Sequence, residues 1–207
     1  MGTLLRSAVV VVTSLFLGCG VATADPVPVA DVTQTAATDD GWQISAELTD
    51  MTINSVPNMA ATPLTKEAFV SAKARAKIEG SGSVSVDSGT LLMGAQLGCQ
   101  LDLSQGGNVG VNGDVGVSTG SNLLTDLGPY ADLGINGSIN LLPGNSKTLG
   151  LGKLSLKGRR GEVTVHDAHI KVDGCAGLVS LRVFAYTQIT TDDGSDSVNT
   201  YGDILKL

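Results

Sequence analysis

Four aspartates have the type and spacing to act together on charge. Asp102, Asp114 and Asp132 occupy even positions in stretches that alternate between apolar or glycine residues and polar or small ones, and Asp126 stands between those stretches. Asn112 and Asn136 share the phase of the first three. Alternate side chains of an extended strand point to one side, so these residues would line one wet face. A lone row of this kind is a solvated surface. Repeated by symmetry around a closed channel, each position becomes a ring of like charge that concentrates cations and repels anions. His166 and His169 bracket Asp167, but positions three apart on a regular strand face opposite ways, which argues against a shared metal. Asp192-Asp193-Gly194-Ser195-Asp196 reads as a turn rather than a calcium loop. Neither a nucleophile–base–acid set nor a phosphate-cradling glycine loop appears. No catalytic residue, metal or cofactor is expected, and the chain reads as a non-enzyme.

The acids need an element to hold them. From Leu101 to Val117 the odd positions are Leu, Val, Gln or Gly, and the even ones Asp, Ser, Asn or Gly. Ala131 to Leu141 repeats that phase, and residues 119–130 between them are rich in turn-formers. Residues 101–142 therefore read as one long hairpin with its tip at 119–130. Val109 to Val117 alone has the roughly nine residues a membrane-spanning strand needs. The first arm would reach about 60 Å at ~3.3 Å per residue. Two strands cannot close a barrel, and lipid does not tolerate their open edges. If the hairpin spans, several subunits must share the wall. A water-filled lumen takes roughly 16 strands, which suggests about eight subunits. Aromatic girdles are missing: Tyr130 alone stands near the tip. A reading from another class stays open, a secreted or surface-anchored β-sandwich binding or adhesion protein with the hairpin as its interaction arm.

The rest of the chain would carry that hairpin. Arg6, the apolar run Ser7 to Leu17, and Ala22-Thr23-Ala24 make residues 1–24 a signal peptide, with export to follow. Cys19 as a lipidation site is a weaker reading, because Phe16-Leu17-Gly18 departs from the small-residue pattern. Losing Arg6 leaves the mature chain one unit more acidic than the full-length −7, and so acidic a chain is a poor nucleic-acid partner. Residues 25–40 look like an extended N-terminal arm. Residues 41–100 and 143–207 are expected to form a β-sandwich rim domain, an all-β fold. Its strands should include Trp42–Leu48, Met51–Val56, Thr90–Gln100, Gly161–Val172, Leu178–Ile189 and Val198–Leu205. Thr65 to Phe69 predicts a short helical turn with Thr65 as N-cap, and Val70–Glu79 fits helix or strand. Cys99 and Cys175 remain after the signal leaves, and an oxidising compartment allows them one intramolecular disulfide. Two buried free thiols, or pairing between chains, are the alternatives. Since one cysteine precedes the hairpin and the other follows it, a bridge would brace its base.

Several segments resemble a known family in order along the chain. Leu64-Thr65-Lys66-Glu67-Ala68-Phe69-Val70-Ser71 with Ala74-Arg75-Ala76-Lys77 is similar to a run in MspA-type mycobacterial porins. So are Gly89-Thr90-Leu91 to Gln96-Leu97-Gly98, Ala168-His169 to Gly174, Leu181-Arg182-Val183-Phe184-Ala185, and Ser197-Val198-Asn199-Thr200-Tyr201-Gly202. The resemblance implies a goblet: a β-sandwich rim and a stem to which each of eight subunits gives one hairpin, a sixteen-stranded transmembrane barrel. It also implies the outer, mycolic-acid-containing membrane of an actinobacterium. The implied partners are other copies of the chain in a homo-oligomer, outer-membrane lipids, and small hydrophilic solutes and cations that diffuse through; co-assembly with a paralogous subunit stays open. Family members carry an acidic constriction at the stem tip. The adjacent Asp-Asp pair of that constriction is not reproduced here, and Asp126 and Asp132 stand in the matching loop instead.

Overall fold

Apolar residues at alternate positions give each segment one greasy face, and two such sheets bury those faces against each other. The computed structural model describes residues 25–102, 136–139 and 146–207, and the regular elements among them are all β-strands. They are β1 (Val27–Val29), β2 (Val32–Ala37), β3 (Trp42–Val56), β4 (Lys66–Gly80), β5 (Val86–Asp102), β6 (Asn136–Ile139), β7 (Ser146–Leu156), β8 (Arg160–Val172), β9 (Cys175–Thr191), β10 (Ser195–Tyr201) and β11 (Leu205–Lys206). The first sheet runs β1-β3-β4-β8-β6, with β2 also on β3. The second runs β10-β9-β5-β7, with β11 also on β9. All pairings are antiparallel except β6 with β8.

The core shows a division of labour. β4 turns Ala68, Ala72, Ala74 and Ala76 inward, all essentially inaccessible, and β5 and β9 supply Leu91, Met93, Leu97, Leu181 and Ile189. Small residues on one face let the bulky ones of the other seat fully. The sequence around β4, with Ala alternating with Lys and Arg, suits a helix by propensity. Strand wins because every second residue is buried and both edges are hydrogen-bonded, to β3 and β8. The expected helical turn at 65–69 is therefore absent. Thr65 is no N-cap: its hydroxyl donates to Asp173 Oδ1 at 2.8 Å beside the start of β4.

Two bulges sit level with each other on either side of β4. Asp50 and Met51 of β3 oppose Ala72, and His166 and Asp167 of β8 oppose Ser71. Asp50 and Asp167 take left-handed φ values of 52° and 49°, which Asp tolerates better than most residues. The β3 bulge joins the two expected segments, Trp42–Leu48 and Met51–Val56, into one strand whose inward phase switches from Leu48 to Met51. On β8 the inward set likewise changes from Val163 and Val165 to Ala168, Ile170 and Val172. His166 and His169 therefore share the outer face, and the opposite-face argument fails because the strand is not regular there. Residues 27–29 and 32–37 of the expected arm are strand, paired to β3. β7 carries no clean alternation and was not anticipated as a strand; it completes the edge of the second sheet.

Candidate functional site

The site grows from the place where the chain leaves β5 after Asp102 and enters β7 at Ser146. β5 and β7 are antiparallel neighbours from Gly89↔Leu156 to Gly98↔Ser146. Asp102 ends β5 and Ser146 begins β7, so the chain departs and returns on adjacent strands at one end of the second sheet. β7 is that sheet's edge.

The root is tied on three sides. Cys99 and Cys175 are bonded, with Cα atoms 5.9 Å apart, and both are buried. The bridge joins the end of β5 to the start of β9, where Asp102 is in register with Cys175. The Cys175 N–H donates to Leu64 O at 2.8 Å, which ties in the β3–β4 loop. The Leu178 N–H donates to Gln100 Oε1 at 3.2 Å. Gly177 makes that contact possible: its φ is +92°, and a Cβ there would stand 2.6 Å from the same Oε1.

Asp102 is half-buried at the last position of β5. Past the register shift between Cys99 and Leu101 it pairs directly with buried Cys175, and its Oδ2 is itself buried, whereas the alternation that buries Leu91, Met93, Ala95, Leu97 and Cys99 puts Gly98 on the opposite, outer face of the second sheet. Gln96 shares that face. It accepts from Arg182 Nε at 2.7 Å, and the Arg182 guanidinium lies 4.4 Å from the Tyr201 ring centre. Asn112, Asp114, Asp126 and Asp132 lie outside the described residues. The backbone of Asn136 belongs to β6, in register with His169 on the parallel pairing to β8.

The remaining candidates are structural. His169 Nε2 lies 3.0 Å from Glu67 Oε2 and stacks on Phe69. His166 is exposed, and among the described residues no three His, Cys, Asp or Glu side chains converge as metal ligands. Lys73 donates to Asp50 and holds its carboxyl below the usual range. Arg75 does the same for Glu162 at 2.7 Å, and its own pKa is raised in return. Burial pushes the Asp173 carboxyl up, but hydrogen bonds from Lys171 and Thr65 outweigh it and the net shift is downward.

Sequence reasoning missed the edge role of β7 and the loop 57–65 at the root. The loop's lack of charge was the available signal. No curated protein matches the chain. The MspA family model matches residues 40–206, which takes in the strands from β3 to β11 and the segment between β5 and β7. The chain belongs to the MspA family of non-catalytic porins.

Proposed function

We propose that this protein is an exported subunit of an oligomeric, water-filled channel in the mycolic-acid outer membrane, passing small hydrophilic solutes and preferring cations. The observation that carries the reading is the paired departure of β5 and β7. A two-faced segment inserted between antiparallel neighbours continues their ladder as a hairpin, and a hairpin is stable in lipid only when copies seal its edges. About eight copies supply the roughly 16 strands of an aqueous lumen. Residues 101–142 are the stem, and residues 41–100 and 143–207 are the rim.

Phase continuity orients the subunit. The odd positions of β5 face the first sheet. Carried into the stem, that phase is the aliphatic one, so it faces lipid and the even phase faces water. The outer face of the second sheet then lines the vestibule, with Asp102 at the throat. Asp114 and Asn112 line the barrel, and Asp126 and Asp132 form the narrowest ring. Asn136 joins the wet face when its segment leaves β8 for a neighbouring stem.

Planar-bilayer recording of the purified oligomer tests this. Stepwise conductance is expected, with a reversal potential on the cation side under a salt gradient. A mature polypeptide that stays a soluble monomer and is electrically silent would refute the channel and favour the adhesion reading.

A further inference from the structure

The two ends of the sandwich differ in chemistry. The end away from the root is made of charged or glycine-serine turns: Asp39-Asp40-Gly41, residues 80–85, Lys157-Gly158-Arg159 and Asp192-Asp193-Gly194. At the root end, loop 57–65 reads Pro-Asn-Met-Ala-Ala-Thr-Pro-Leu-Thr, and residues 174–178 read Gly-Cys-Ala-Gly-Leu, with no charge in either. Three of the seven exposed large apolar side chains among the described residues lie there too. Met59 is 95% exposed, Leu178 50% and Leu101 46%.

Loop 57–65 is built to present its methionine. The Asn58 side chain donates to Thr62 O and Thr65 O, both at 2.9 Å, and accepts from the Thr62 N–H at 3.1 Å. The Met59 N–H donates to Glu67 Oε1 at 3.3 Å. These bonds hold the loop shape and leave the thioether facing out. The root-end charges are mostly engaged: Glu67 is buried against His169, and Asp173 pairs with Lys171 at 3.0 Å. Lys66, half-buried, can keep its ammonium in water while its stem lies along an apolar surface.

We infer that the root end of the sandwich, centred on Met59 with Leu101 and Leu178, is a collar that rests on the lipid surface around the barrel. The inference relies on the channel reading above. Two points favour lipid over other occupants. The chain enters the stem at this end, so the membrane begins there. The first sheet also lies on the side of β5 whose phase becomes lipid-facing in the stem, which hangs loop 57–65 over the bilayer outside the barrel wall. Such a collar supplies the interfacial anchor that an aromatic girdle gives other barrels.

The test uses the single tryptophan of the chain, Trp42, at the opposite end of β3. Met59→Trp and Leu178→Trp proteins are assembled into phosphatidylcholine vesicles whose acyl chains carry bromine near the headgroup, and the same samples are recorded in planar bilayers. The expected result is conducting channels in which the added tryptophan loses emission to the bromine while the parent protein's Trp42 does not. Conducting channels with no quenching of either added tryptophan overturn the collar and leave the channel reading standing. If the added emission is already blue-shifted in the detergent-solubilised oligomer and bromine has no effect, the patch meets a neighbouring subunit and the collar is likewise overturned. No channels from the parent protein would refute the channel reading, and the collar with it. A Met59→Asp, Leu178→Asp double variant gives a second readout. Insertion events should fall by about tenfold per side chain, the value of burying one such residue, with unchanged conductance per channel. An undiminished insertion frequency counts against the collar.

Discussion

Removing the Cys99–Cys175 bridge is the most quantitative perturbation of the root. The bonded residues are 76 apart in sequence, and closing a loop of that length removes about 4 kcal/mol of denatured-state entropy in the loop-closure model. A Cys99→Ala, Cys175→Ala pair also deletes two buried sulfur atoms, which adds roughly 1 kcal/mol each if the site does not collapse. At the 2–4 °C per kcal/mol typical of a domain this size, the melting temperature should drop by about 12–24 °C. Trp42 is a suitable reporter: it is the single tryptophan, 7% exposed, and its Nε1 donates to Val84 O at 2.9 Å between the sheets. The assay is reversible unfolding of the mature polypeptide in guanidinium followed by Trp42 emission, with and without a reductant. A midpoint that does not move on reduction would mean that the link constrains nothing the unfolded chain would otherwise explore, and the bracing role would be wrong. Channels formed from the reduced protein should also show noisier open levels, because the strand that enters the stem loses its covalent tie to β9.

Gly94→Ala should cost about 1–3 kcal/mol by overpacking, because a Cβ there would stand 2.5 Å from Phe184 Cε1 and 2.6 Å from the backbone O of Leu149. Gly98→Ala, four residues along the same strand, has its nearest neighbour at 3.9 Å and should be neutral in the same denaturation assay. The carboxyl groups of Asp50, Glu162 and Asp173 are held below their ordinary values of 3.8, 4.5 and 3.8. Their stabilisation is complete above the unfolded values and is lost as pH falls through the lower folded ones. Stability should therefore be level above about pH 5 and decline below pH 4, and a double variant Asp50→Asn, Glu162→Gln should show a shallower acid slope. Replacing Asp126 and Asp132 together by Asn should bring the reversal potential under a salt gradient towards zero. An unchanged potential would move the selective ring elsewhere.

How far the residues alone could be read depends on which interactions decide each feature. Alternation over Leu101–Val117 and again over Ala131–Leu141, the cysteine pair flanking them, and the run of half-apolar strands are local patterns. They sufficed for an all-β sandwich, for Cys99 and Cys175 as one possible pair, and for a two-faced insertion. β4 was ambiguous because Ala, Lys and Arg suit a helix as well as a strand, and the answer lies in the hydrogen-bonding edges that β3 and β8 present. The bulges at Asp50 and Asp167 leave no periodic trace beyond a phase change. That is why the prediction for His166 and His169 inverted once the real pleat was known. β7 escaped notice because an edge strand packed partly on glycine needs little alternation; Gly152 faces Val163, where a Cβ would stand 2.5 Å away.

The amino-acid order thus determined which residues can be wet or greasy together, since side-chain period is a property of the strand itself. It could not say that β5 and β7 are neighbours, that the cysteines meet, or that Met59, Leu101 and Leu178 gather at one end. Those depend on contacts between residues far apart in the chain, which only the packing of two sheets brings within reach.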